Sequence, residues 1–291
     1  MVTYAINRTA MIKREHNTII FMHIPKAAGS TFNRMIIYKQ YPEYSIFELE
    51  FPYIESLNKL KQKSDIEINK IKLIQGHMGF GIHEYLPQYS TYITIIRNPI
   101  ERVISYYYYI LNRPFPHPFC DEVTNKKINL EKMSLKEFIR SGLARDMENG
   151  QTRRLAGAKG IIYPDQCTPE IFERAKENIQ KHFYLVGLVE KFDETLILLK
   201  KTLGWRNCYY VKINVNNFKV NGQLIDKNTI ELIKEYNYFD IKLYHFVSEK
   251  FEKLSEDNID CKELNSFKFI NELIYPYYYR AKRKTMNFIL K

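Results

Sequence analysis

Two short segments hold residue types suited to gripping anions. The first is His23-Ile-Pro-Lys-Ala-Ala-Gly-Ser-Thr31, which follows an apolar run and leads into a helical pattern. The start of a helix presents N–H groups with no partner in the helix and the positive end of its dipole, so an anion is stabilised there. Lys26 adds a cation, Gly29 lets the backbone come close to a phosphate, and Ser30 and Thr31 add hydroxyl donors. The second is Arg97-Asn-Pro-Ile-Glu-Arg-Val-Ile-Ser105. A planar guanidinium and a hydroxyl can hold one phosphate from two sides. Taken singly, Lys26 reads as a surface lysine in a turn, and Arg97 as half of an ordinary ion pair. The lysine segment is not the GxxxxGK[ST] loop of ATP- and GTP-hydrolysing proteins, because Lys26 precedes Gly29 and the opening glycine is absent.

A third segment, Gln75-Gly-His-Met-Gly-Phe-Gly-Ile-His83, combines tight-turn glycines with two histidines. Histidine is the usual general base near neutral pH. His77 directly follows an apolar run, which places it at the end of a sheet, where open α/β folds bind ligands. His83 is the second candidate, as a base or as an acceptor contact.

The elements that would position these residues are legible as alternating patterns. Residues 18–23, 71–75, 92–97 and 183–186 are short Ile-rich or aromatic runs without clean polar alternation, which suits a parallel sheet covered on both faces. Helical patterns cover 30–38, 99–111, 135–141, 169–180, 193–203, 229–236 and 240–254. Asn98 as cap, Pro99 in the first helical position and Glu101 in the third mark one helix start. The expectation is an α/β chain with a three-layer fold, a central and mainly parallel sheet flanked by helices. It is read as a single domain over residues 1–291, with a core at 18–256 and a basic, tyrosine-rich extension at 257–291. Residues 111–129 hold three prolines and read as a long loop, a lid or an acceptor-binding insertion.

The chain has 291 residues and a formal charge of +11, which favours anionic partners without choosing among them. Cys120, Cys167, Cys208 and Cys261 form no CxxC pair, so no metal site is expected. No run of about 18 uncharged apolar residues spans a membrane, though contact with a membrane surface stays open. Tyr106 to Tyr109 could stack nucleic-acid bases, but consecutive residues on a helix face all directions, so part of that run belongs in a core. A kinase with an unusual phosphate loop would need a magnesium carboxylate after a strand, and none is evident.

Together, PKxxGST after a first strand and RNPxxRxxS after a later one resemble the two donor-binding motifs of sulfotransferases that use 3′-phosphoadenosine 5′-phosphosulfate (PAPS). The HIPKAAGST form is most similar to the carbohydrate sulfotransferase family that includes heparan sulfate 2-O-sulfotransferase. Asn149-Gly-Gln-Thr-Arg-Arg-Leu-Ala-Gly157, Val186-Gly-Leu-Val-Glu-Lys-Phe-Asp193, and Asp240 with Leu243-Tyr244 extend the likeness. The resemblance implies a P-loop-like fold, PAPS as co-substrate with adenosine 3′,5′-bisphosphate as product, and a carbohydrate acceptor. It implies that Lys26, Ala28, Gly29, Ser30 and Thr31 cradle the 5′-phosphosulfate and that Arg97 and Ser105 hold the 3′-phosphate. His77 would be the base, and Lys26 would also stabilise the leaving group. His83 would contact the acceptor, and Gln151, Arg153 and Arg154 either contact the donor or an acidic sugar or belong to a helix held by ordinary salt bridges. Ala27 and Ala28 depart from the common PKTGGT form and lose a hydroxyl at position 27. Golgi members of the family usually carry an N-terminal anchor, and residues 1–16 lack an apolar stretch of signal length, so the expectation is a bacterial, cytoplasmic enzyme or a truncated chain.

Overall fold

The computed structural model describes residues 18–50, 53–111, 133–143, 145–157, 166–212 and 225–289, with side chains as far as Lys282. The strands are β1 (Thr18–Met22), β2 (Ile46–Leu49), β3 (Leu73–Gly76), β4 (Ser90–Ile96) and β5 (Phe183–Leu188). They pair in the order β2-β3-β1-β4-β5, and every pairing is parallel. β1 is buried at all five positions, which is why its sequence is an unbroken apolar run.

Helix α1 (Gly29–Met35) follows β1. α2 (Tyr53–Lys61) and α3 (Asp65–Asn69) lie between β2 and β3. Among the described residues, four helices separate β4 from β5: α4 (Pro99–Leu111), α5 (Leu135–Arg140), α6 (Gly150–Ala156) and α7 (Pro169–His182). After β5 come α8 (Phe192–Leu203), α9 (Lys227–Tyr236), α10 (Tyr238–Asn258), α11 (Cys261–Phe269) and α12 (Tyr275–Ile289), the last two joined by a π-helical turn at Ile270–Ile274. The α/β fold expected from the sequence, a central parallel sheet flanked by helices, is what the chain adopts, and among the described residues every strand of the sheet is parallel.

The main core is built from the sheet, α1, α8 and α10, with Phe21, Phe32, Leu73, Ile96, Leu196 and Leu243 among its buried members. A second cluster joins Val103, Tyr106, Tyr107 and Ile110 of α4 to Phe138 of α5 and Ile233 of α9. Half of the tyrosine run is therefore core, as its helical geometry requires. Asn98 caps α4 as expected, its Oδ1 accepting from Ile100 N–H at 3.0 Å and Glu101 N–H at 3.4 Å. β2, α2 and α3 were not anticipated. β2 is a four-residue edge strand with a single buried position, so its sequence carries too little apolar signal.

No helix among the described residues is long and apolar enough to cross a membrane. Cys120 and the proline-rich stretch from 112 to 129 lie outside the described residues.

Candidate active site

The sheet register sets the site out in a row. β1 sits between β3 and β4, with Met22 opposite Gly76 on one side and Thr94 on the other. The next residues along these three strands are His77, the lysine loop and Arg97. β1 is also where the strand order reverses, the crevice in which open α/β sheets bind ligands.

In the loop, Lys26 and Ala28 both take left-handed backbone conformations, at φ 66° and 58°. Such turns tilt successive N–H groups toward a common centre and make an anion-binding concavity. The first helical bond of α1 runs from Phe32 N–H to Ala28 O at 3.0 Å, so the N–H groups of Ala28, Gly29 and Ser30 project from the first turn. Ala28 carries the left-handed cost of a residue with a Cβ, the kind of strain that persists where function depends on it. Ser30 is exposed and Thr31 buried.

Gly29 turns out to have a second role. A Cβ there would lie 1.6 Å from His23 Nε2, so the imidazole of His23 fills the space that glycine leaves. His23 in turn stacks on His77, with ring centroids 4.1 Å apart. Gly29→Ala should therefore push His23 off its seat and disturb His77, at an overpacking cost of about 1–3 kcal/mol. The expected result is a lower melting temperature with altered imidazole resonances for both histidines. Unchanged spectra would show that the His23 ring relaxes without consequence.

Arg97 closes on the loop from the other side. Its Nη1 is 3.4 Å from the Lys26 carbonyl oxygen, and its Nη2 is 3.4 Å from Glu101 Oε2. Glu101 is 60% exposed, so that ion pair is weak and an arriving anion competes with it readily. Lys26 Nζ lies 4.0 Å from the ring centroid of Tyr109. Glu101, Ser105 and Tyr109 are spaced four apart and share one face of α4. Ser105 thus sits between the contact to Arg97 and the contact to Lys26. The structure thus brings Arg97 against the loop that carries Lys26, Ala28, Gly29, Ser30 and Thr31, with Ser105 on the neighbouring helix face.

His77 has a defined tautomer. Its Nδ1 is 3.0 Å from the carbonyl oxygen of His23, which can only accept, so Nδ1 carries the proton and Nε2 the lone pair. Burial lowers its pKa, and the cation of Arg154 lowers it further, against weaker opposition from the His23 carbonyl and Asp146. The ring is therefore neutral at neutral pH and basic at Nε2. His23 is held well below its ordinary pKa by burial and by His77 and Arg154, so the stacked pair stays uncharged.

His83 is placed differently. Tyr92 OH accepts from the N–H groups of Gly81 at 3.2 Å and His83 at 3.0 Å, and lies 2.9 Å from His83 Nδ1. With two donors already on its oxygen, the phenol gives its proton to Nδ1, which leaves Nε2 of His83 as an N–H. His83 packs among Phe80, Tyr92 and His182 and offers no lone pair for a base.

The Asn149–Gly157 segment forms α6 and supports the row rather than lining it. Gln151 is fully buried, and its amide clamps the backbone of Arg97, accepting from the N–H and donating to the carbonyl, both at 2.9 Å. This corrects the expectation of a donor or sugar contact there, because both ends of the amide are used. Arg153 is buried and donates through Nε to the carbonyl of Glu148 at 3.0 Å. Arg154 donates from Nη1 to the carbonyl of His77 at 3.3 Å, while its Nε meets Asp146 Oδ1 at 3.0 Å.

A model of the sulfotransferase family matches residues 8–247. This chain belongs to that family. The enzyme is 22% identical to the heparin sulfate O-sulfotransferase of Drosophila melanogaster over 285 residues, 90% of this chain and 80% of that one. It is 24% identical to the heparan sulfate 2-O-sulfotransferase of Caenorhabditis elegans over 205 residues, 64% of this chain and 60% of that one. A stretch of 93 residues is 32% identical to the galactosylceramide sulfotransferase of Bos taurus, covering 30% of this chain and 21% of the bovine one. The enzyme spans less than two thirds of the nematode and bovine proteins. Among solved structures, mouse sulfotransferase SULT7A1 complexed with PAP aligns with a TM-score of 0.35 and 15% identity over 82% of this chain and 72% of that one.

Sequence reasoning missed three residues that hold the enzyme's site together. His23 was read only as the start of the lysine segment, and its stack on His77 depends on strand register. Asp146 bridges Arg102 and Arg154, at 3.6 and 3.0 Å, from a segment with no motif. Asp240 reaches α6 from the far end of the chain. Only the likeness at Asp240-xx-Leu243-Tyr244 hinted at it.

Proposed function

We propose that this sulfotransferase moves the sulfuryl group of PAPS to a hydroxyl of a carbohydrate, with His77 as base. The observation that carries the reading is the contact of the Arg97 guanidinium with the Lys26 carbonyl, which joins two cationic segments into one site. A doubly phosphorylated adenosine has anions at two ends, and this site has donors for both. The loop N–H groups and Lys26 take the 5′-phosphosulfate, and Arg97 with Ser105 takes the 3′-phosphate. Arg154 lies behind His77 and positions it through the backbone carbonyl.

In the proposed reaction, Nε2 of His77 accepts the proton of the sugar hydroxyl. The hydroxyl oxygen forms a bond to sulfur as the bond from sulfur to the bridging phosphate oxygen breaks, in line with the attack. Lys26 neutralises charge growing on that oxygen, and adenosine 3′,5′-bisphosphate leaves. The residues present supply base, charge stabilisation and orientation. The sugar acceptor is inferred from the curated relatives, whose names refer to heparin, heparan sulfate and galactosylceramide.

Thermal stabilisation tests the donor. Adenosine 3′,5′-bisphosphate should raise the melting temperature, and ATP and DNA should not. Arg97→Ala removes a charge-assisted phosphate contact of about 1.5–3 kcal/mol, so affinity should fall roughly ten- to a hundredfold. Equal stabilisation by ATP, or an unaffected Arg97→Ala, would overturn the assignment. Labelled donor incubated with a panel of sugars then identifies the acceptor.

A further inference from the structure

The segment from α11 to α12 carries two apolar faces, and the described residues of the body pack on one of them. On the inner face, Phe267 is buried and Tyr275 half-buried, with Tyr209 5.2 Å from the ring of Phe267 and 6.0 Å from that of Tyr275. Asn271 fixes the helix there, accepting from Tyr210 N–H at 3.0 Å and donating to Asp193 at 3.2 Å. On the outer side, Phe269, Leu273, Ile274, Tyr277 and Tyr278 are each between 50 and 70% exposed. Phe269, Leu273 and Tyr277 repeat every four residues, which aligns them along one helix face. Large apolar side chains gathered in a single exposed row mark an interaction surface.

Charge identifies the occupant. Residues 268–291 contain six lysines and arginines and one acid, Glu272. Arg280 and Lys282 are exposed at the end of the row. Beyond them the sequence runs Arg-Lys-Thr-Met-Asn-Phe-Ile-Leu-Lys, again basic residues beside apolar ones. Tyrosines with aliphatic neighbours and a basic border suit the boundary between anionic headgroups and acyl chains. A second copy fits less well, because it brings another +11 to the same face. The row also offers only roughly 500–600 Å² if each side chain covers half its surface, against about 800 Å² per partner in a stable complex.

We propose that the outer face of residues 269–282 docks this enzyme on an anionic lipid bilayer, with Phe269, Leu273 and Tyr277 in the interface and Arg280 and Lys282 among the headgroups. The surface is separate from the row of His77, Lys26 and Arg97, so a failed docking test leaves the proposed chemistry standing.

Co-sedimentation of the full chain with vesicles tests this. Vesicles of phosphatidylcholine mixed with phosphatidylglycerol should carry the protein down, vesicles of phosphatidylcholine alone should not, and added salt should release it. Leu273→Ser with Tyr277→Ser, and separately Arg280→Glu with Lys282→Glu, should each weaken binding at least about tenfold. All four positions are exposed, and unchanged melting would show that the variants fold. Absence of sedimentation with the anionic vesicles would overturn the proposal, as would sedimentation that neither double variant alters. So would concentration-dependent dimerisation abolished by Leu273→Ser with Tyr277→Ser, which would assign the row to a second copy.

Discussion

His77→Ala is expected to lower turnover by about 10²–10⁴-fold, the range for loss of a positioned general base, with binding of adenosine 3′,5′-bisphosphate nearly unchanged. The argument rests on the tautomer. The His23 carbonyl fixes the proton on Nδ1, so the lone pair stands on Nε2 before any substrate arrives. Stacking against His23 holds the ring plane, and the Arg154 contact to the His77 carbonyl holds the backbone that carries it. His83 cannot substitute, because Tyr92 occupies the nitrogen that would have to act. Wild-type turnover by a folded His77→Ala protein would remove it as the base.

The pH dependence gives the same claim a second readout. Burial and Arg154 lower the pKa of His77, so the neutral, active form persists below the ordinary value of about 6.5. Turnover should rise with pH along an acid limb centred below that value and then level off. Arg154→Met removes a cation that disfavours the charged imidazole, so the pKa of His77 rises and the limb moves to higher pH. A limb that stays in place in Arg154→Met would show that another group is titrating. The shift separates an electrostatic role of Arg154 from simple loss of packing, which would reduce turnover equally at every pH.

The sequence reveals the site where a single segment carries it and conceals the site where segments meet. Lys26, Gly29 and Thr31 fall within one strand-to-helix turn, and Arg97 to Ser105 within another, so spacing along the chain approximates spacing in the fold. The capped start of α4 is legible for the same reason. His77 opposite His23 is a consequence of β1 pairing with β3, and pairing partners are not written in either strand. Gln151 illustrates the converse error. A polar residue in a segment that resembles a family motif reads as a ligand contact, yet its buried amide is the partner that the Arg97 backbone needs where β4 ends. The edge strand β2 escaped because an edge position has water on one side and needs few apolar residues. Glu48 on β2 pairs with Tyr38 and Gln75, so one of its four positions is acidic.

Asp240→Ala should destabilise the fold by about 3–5 kcal/mol, a fifth or more of the roughly 5–15 kcal/mol that holds a typical domain together. Asp240 is fully buried, and its two oxygens accept from Gln151 N–H at 3.1 Å and Thr152 N–H at 2.7 Å, the orphan donors of the first turn of α6. Asn149, just ahead of that turn, returns the favour by accepting from the N–H groups of Phe239 and Asp240 at 2.9 and 3.1 Å. The carboxylate also lies 3.5 Å from Nη2 of Arg102, whose side chain is 1% exposed. Arg102 Nε has no hydrogen-bond partner among the described residues, so this guanidinium has few groups to share its charge. Truncation at Asp240 would leave two buried N–H groups unpaired and Arg102 dependent on Asp146 alone. Asp240→Asn keeps the shape and one acceptor oxygen but turns an amide donor toward a donor, so it should cost less than alanine and still be measurable in urea. Because α6 carries both the clamp on Arg97 and the contact to the His77 carbonyl, a folded Asp240→Asn protein should lose donor affinity and turnover together, although Asp240 touches neither group. An alanine variant that melts like the wild type would mean that Arg102 finds compensation elsewhere and that α6 is held by its packing on α7 and α10 alone.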